Sequence, residues 1–172
     1  VIRLVLWLSR PRQPGELWRV HPHTHWTCDH DYPMNISIAD VKDLIGTPWR
    51  LGSANRSDGL GCWGLVREVL RRSGVSVPDP WDGVERTEAR VESVFAALSE
   101  EFESARWIQA DPRDASPGDV ILFGGAPGEP SHAGVFLAGG VLIHSVRSIG
   151  VVAVPYSRVV GRAIRAYRRA AA

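Results

Sequence analysis

The chain has 172 residues, 44% of them hydrophobic and 23% charged, with a formal net charge of +1. That is enough apolar side chain for one packed domain, and too little excess charge for a protein that holds nucleic acid by charge alone. No run approaches the roughly 20 apolar residues of a membrane span, and two cysteines make no disulfide framework.

Residues 1–33 hold three tryptophans, four prolines and four of the six histidines, with no clear period. The opening "VIRLVLWLSR" is apolar over its first eight positions apart from Arg3 but lacks a small-residue cleavage site, so it is a poor secretory signal. "HPHTHWTCDH" offers zinc-binding residue types without the paired spacing of a zinc site, so no metal is expected there. Met34 is the only methionine, and "MNISIADVKDLIG" reads like a natural start. The expectation is a non-native or disordered extension over 1–33 and a single domain over 34–172.

From Met34 onward the elements follow in order. "SIADVKDLIGTP" predicts a helix, with Ser37 to cap, Asp40 in the first turn, Gly46 at the end and Pro48 barring continuation. "WRLGSANRSDGLG" predicts a glycine-rich loop. A helix from Cys62 to Ser73 puts Cys62, Leu65, Val66, Val69 and Leu70 on one face, and Gly74 stops it. A loop, "VSVPDPWDGVE", leads to a second long helix over Arg86–Phe102 with Val91, Val94, Phe95 and Leu98 at helical spacing. After the turn "DASPGD" the period becomes that of strands: "VILFGG", "HAGVFLA", "VLIHSV", "GVVAVPY" and "RAIRAYR". Helices followed by a strand meander predict an α+β fold with an antiparallel sheet.

After Met34 the chain holds one cysteine and two histidines: Cys62, His132 and His144. Cys62 falls at a helix start, where the helix dipole and free N–H groups favour thiolate, so a lowered thiol pKa is expected. Gly61 allows a tight entry, and Gly64 allows another backbone or a substrate to come close. The histidines lie on consecutive strands. If the loop is Ala138 to Gly140, Leu137 pairs with Val141 and His144 sits opposite Gly134. His132 is then on the same face two residues along, a diagonal of about 7–8 Å. A register shift of one residue would separate them. In this reading Cys62 attacks an acyl carbon. His132 takes and returns the proton, His144 orients His132, and the Cys62 N–H receives the oxyanion.

At these residues the chain resembles the NlpC family of cell-wall cysteine peptidases. "GTPWRLGSANRSDGLGCWGLVREVLRRSGVSVP" is similar to the family's nucleophile segment, and "PGDVILF", "SHAGVFLAGGVLIHS" and "GVV" to its strand segments. The likeness covers about Val41 to Arg168. The long stretch between Cys62 and His132, and the bulky Trp63, look most like the branch encoded in phages and gene-transfer particles. The resemblance implies a papain-like core with N-terminal helices packed on a five- to six-stranded antiparallel sheet. It implies hydrolysis of an amide in peptidoglycan stem peptides, often between D-glutamate and the diamino acid, with no cofactor. The absence of a signal peptide would suit a protein made in the cytoplasm and carried in a particle, beside other tail-tip proteins.

Many members carry Asp where this chain has Gly61, and Tyr where it has Trp49. Trp49, Trp63 and Arg50 are the candidate substrate contacts; Arg56 and Arg147 are further candidates for stem-peptide carboxylates. Two other readings compete. A CHAP-type amidase also pairs a helix-start Cys with a strand His, but its third member is usually Asn or Glu. A non-cutting tail-tip assembly protein would keep the fold alone, and Gly61 is the feature that keeps that reading open.

Overall fold

The computed structural model describes residues 34–104, 106–126 and 129–170. The expected extension over 1–33, with its histidine-rich segment, lies outside the described residues.

The first helix, α1, is a single turn at Ile38–Val41, continued by a 3-10 turn at Lys42–Leu44. Ser37 caps it reciprocally with Asp40, whose carboxylate accepts the Ser37 N–H at 2.9 Å. The helix is shorter than its sequence predicts because a strand captures the chain. The Gly46 N–H donates to the Val151 carbonyl at 2.9 Å, and the Val151 N–H to the Thr47 carbonyl at 2.9 Å. The glycine-rich loop contains a small antiparallel ribbon, β1 (Ala54–Asn55) with β2 (Gly59–Leu60).

The second helix, α2, spans Cys62–Arg72 and buries Leu65, Val66, Val69 and Leu70. Gly74, at φ +79°, supplies the expected stop. The third, α3, spans Val91–Phe102 after a 3-10 turn at Glu88–Arg90, so the regular helix starts later than expected. Val94, Phe95, Leu98 and Phe102 are buried.

Six antiparallel strands form the main sheet: β3 (Trp107–Ala110), β4 (Val120–Ala126), β5 (Glu129–Leu137), β6 (Val141–Val146), β7 (Gly150–Pro155) and β8 (Ala163–Arg169). Their spatial order is β3-β8-β4-β5-β6-β7. The edge strand β3 has no counterpart in the sequence reading. It is four residues long with two exposed residues in the middle, so the alternation that marks a strand is absent. The helix α2 packs on β5 and β6, and α3 on β5. The main core lies between these helices and the sheet. A smaller cluster of Ile121, Phe123, Leu142, Tyr156 and Ala166 forms a second apolar group. Among the described residues no helix is long and apolar enough to cross a membrane.

Candidate active site

The hairpin of β5 and β6 forms in the register its glycines suggest. Leu137 pairs with Val141 and Gly134 with His144, and Gly139 and Gly140 both take positive φ in the turn. His132 and His144 therefore share a face. Their rings meet nearly edge to face, with His132 Nε2 and His144 Nδ1 2.9 Å apart. Gly134 leaves room for this: a Cβ there would lie 2.8 Å from the Ile143 carbonyl oxygen and 3.0 Å from the His144 Cβ.

Cys62 is brought to this pair by the first turn of α2 packing on β5. The Gly61 N–H donates to the Ser53 carbonyl at 2.8 Å, and the Leu60 N–H to the Pro48 carbonyl at 2.8 Å. A Cβ on Gly64 would lie 1.9 Å from the Ser53 carbonyl oxygen. The close approach at Gly64 is therefore to backbone and not to a substrate. A Cβ on Gly61 would lie 2.8 Å from the Arg50 carbonyl oxygen, and this close contact accounts for the glycine before the nucleophile. From β6, the buried Ser145 hydroxyl donates to the Leu60 carbonyl at 2.6 Å. That bond joins the residue after His144 to the residue two before Cys62.

The electrostatics reverse one expectation. Cys62 keeps some exposed surface but stands in packed surroundings. Burial pushes its thiol pKa up; the N–H groups of Ala133, Trp63 and Cys62 itself oppose this without overcoming it. The helix start thus does not produce a resting thiolate, because desolvation is the larger effect. Burial first, and His144 second, lower His132 to about 4. His144 is lowered by burial. Near neutral pH both partners are uncharged. Since His132 Nε2 faces His144, its Nδ1 is the nitrogen left for the thiol. For Nδ1 to accept a proton, Nε2 must carry one and donate it to His144 Nδ1.

A cleft of about 380 Å³ opens at these three side chains. Its floor is apolar, with Trp81, Val94, Phe95 and Leu98 supplied by the segment between α2 and β3. That segment is pinned at its start by Arg67 on Asp79 at 2.7 Å, and further along by Arg86, which donates to the Gly52 carbonyl at 3.1 Å.

The expected substrate contacts divide. Trp49 is half-buried and lines the cleft. Trp63 also borders it but is only 2% exposed, with Nε1–H donating to the Pro78 carbonyl at 3.2 Å and its ring edge-on to Phe102. It serves as wall and core. Arg50 is not brought to the cleft; it is exposed beside a separate depression with Asn55, Asp58 and Arg86. Arg56 is engaged by Asp43 at 2.8 Å. Arg147 does line the cleft, with its guanidinium 5.0 Å from the Trp49 ring centre. Sequence reasoning missed Trp81, Glu88 and Ser145, which reach the site through tertiary packing and carry no local motif.

Comparison with known proteins gives the family and the fold. The family model described as NlpC/P60 matches residues 46–168. The chain is 19% identical over 131 residues to the Gamma-DL-glutamyl hydrolase of Bacillus subtilis (strain 168), covering 74% of this chain and 27% of that protein. The chain thus spans about a quarter of that relative's length. Among solved structures it resembles the NlpC/p60 domain of the peptidoglycan hydrolase SagA, with a TM-score of 0.51, 22% identity, and coverage of 76% of this chain and 94% of that one. It also resembles NlpC2 from Trichomonas vaginalis, with a TM-score of 0.53, 19% identity, and coverage of 75% and 44%. With its papain-like α+β fold and a family match over most of its length, this chain belongs to the NlpC/P60 family.

Proposed function

We propose that the chain is a cysteine peptidase that hydrolyses an amide bond in peptidoglycan stem peptides, the bond between D-glutamate and the diamino acid. The observation that carries the reading is the 2.9 Å contact of His132 Nε2 with His144 Nδ1 in the cleft that holds Cys62 at the start of α2. A structural cysteine needs no such pair. The likeness to a Gamma-DL-glutamyl hydrolase and to a peptidoglycan hydrolase domain supports the substrate class. A histidine as third member favours this reading over a CHAP-type amidase. The non-cutting reading drew on Gly61, and the close Arg50 carbonyl gives that glycine a packing reason. Delivery in a phage or gene-transfer particle rests on the sequence resemblance alone.

In the proposed cycle, Cys62 Sγ attacks the carbonyl carbon as its proton passes to His132 Nδ1. The Cys62 N–H donates to the oxyanion. His132 then gives the proton to the leaving amine, and the acyl–cysteine forms. Water, deprotonated by His132, releases the acid and restores the thiol. His144 accepts from His132 Nε2–H throughout.

The test is digestion of purified peptidoglycan and a defined stem peptide, with products identified by mass. Cys62→Ala should abolish turnover, and His132→Ala should lower it by on the order of 10²–10⁴-fold. His144→Gln can still accept a hydrogen bond and should keep part of the rate. A folded His144→Gln as inactive as His132→Ala would mean the histidine roles are reversed. An inert wild type would favour the assembly reading.

A further inference from the structure

At the exposed rim of the cleft three side chains from distant segments converge. Trp49 comes from the stretch after α1, Glu88 from the 3-10 turn before α3, and Arg147 from the residue after β6. The Arg147 guanidinium lies over the Trp49 ring, 5.0 Å from its centre, and pairs with the Glu88 carboxylate. Both members of the ion pair are nearly two-thirds exposed, at 63% and 64%. Their placement matters because the floor of the cleft is apolar, and among the described residues that line it Arg147 is the one arginine or lysine.

An exposed ion pair is held weakly, and a guanidinium over an aromatic ring retains that second attachment when its carboxylate partner leaves. We propose that Arg147 is a carboxylate-binding subsite and that Glu88 occupies it until a substrate carboxylate takes its place. The ligand class is a peptide with a free carboxylate beside the scissile amide. This proposal rests on the peptidase reading of the cleft and adds a selectivity to it: the carboxylate form is preferred over its carboxamide. The cationic group is anchored by Trp49 on one side, so the fork of N–H donors can exchange one carboxylate for another without moving.

The experiment measures equilibrium binding to the Cys62→Ala protein, which cannot form the acyl enzyme. Two probes are used, a stem peptide with γ-linked D-glutamate bearing its free α-carboxylate and the same peptide with that group as carboxamide. Wild-type rim residues should favour the carboxylate. Glu88→Gln removes the internal competitor and should tighten carboxylate binding by about two- to fivefold, with the carboxamide unchanged. Arg147→Gln should erase the preference. Equal binding of both probes, weaker carboxylate binding in Glu88→Gln, or an equal loss for both probes in Arg147→Gln would each overturn the proposal. Wild-type turnover of the two peptides is measured in parallel. Selective binding without turnover would sink the peptidase reading and leave the subsite standing.

Discussion

Cys62 and His132 line the same cleft as two uncharged groups, and that sets how the site should respond to pH. Burial raises the thiol and lowers the imidazole to about 4, so a thiolate–imidazolium pair is not the resting state. The base is competent only when neutral, which holds above its own pKa. Activity should therefore persist well below the 6.5 of an ordinary histidine and fall as pH drops through about 4. Cys62 alkylation by a small neutral reagent should show no inflection below that of a free cysteine and should keep rising into alkaline solution. Steady-state rates and alkylation rates against pH check both statements. An acid limb near 6.5, or an alkylation inflection below a free cysteine's, would show that the charged pair wins after all.

Two elements meet at the nucleophile because a side chain is missing between them. Gly64 lets α2 close on the Ser53 carbonyl, where a Cβ would stand 1.9 Å away. Neither partner there is a flexible side-chain end, so relief requires backbone movement. Gly64→Ala is expected to cost about 3 kcal/mol or more. Gly74→Ala, where nothing lies within 4 Å and only φ is unfavourable, should cost about 1 kcal/mol. Denaturant unfolding of both variants measures the difference; equal costs would mean the α2 contact relaxes easily. The β5–β6 hairpin was legible in the sequence because a period of two and a glycine pair specify its register, and register alone decides whether His132 and His144 share a face. The Gly64 contact was not legible, since a glycine within a helix looks the same whether a substrate or a carbonyl comes close.

At the scale of the molecule, the core of the described residues begins at Met34. Met34 is 6% exposed and Ile36 is 5% exposed, and the Ile36 carbonyl accepts the Ala138 N–H at 2.8 Å. A chain starting at Met34 is expected to melt with the full chain, while one starting at Ser37 should lose about 3–6 kcal/mol of burial. Thermal unfolding of the two truncations decides it, and equal melting would remove Met34 and Ile36 from the core's accounting. Alternation and helical spacing revealed the α+β class and all strands but the short β1, β2 and β3. The cleft floor stayed hidden because it comes from the loop and helix between α2 and β3, whose positions depend on long-range packing; of the rim, Trp49 and Arg147 were legible as candidate contacts and Glu88 was not. The bond from Ser145 to Leu60 spans 85 positions of sequence. Until β5 and β6 have paired and docked on α2, Cys62 has no histidine pair in place. A nascent or locally unravelled chain is thus chemically silent, and hydrolysis, where it is seen, reports that β5 and β6 have docked against α2.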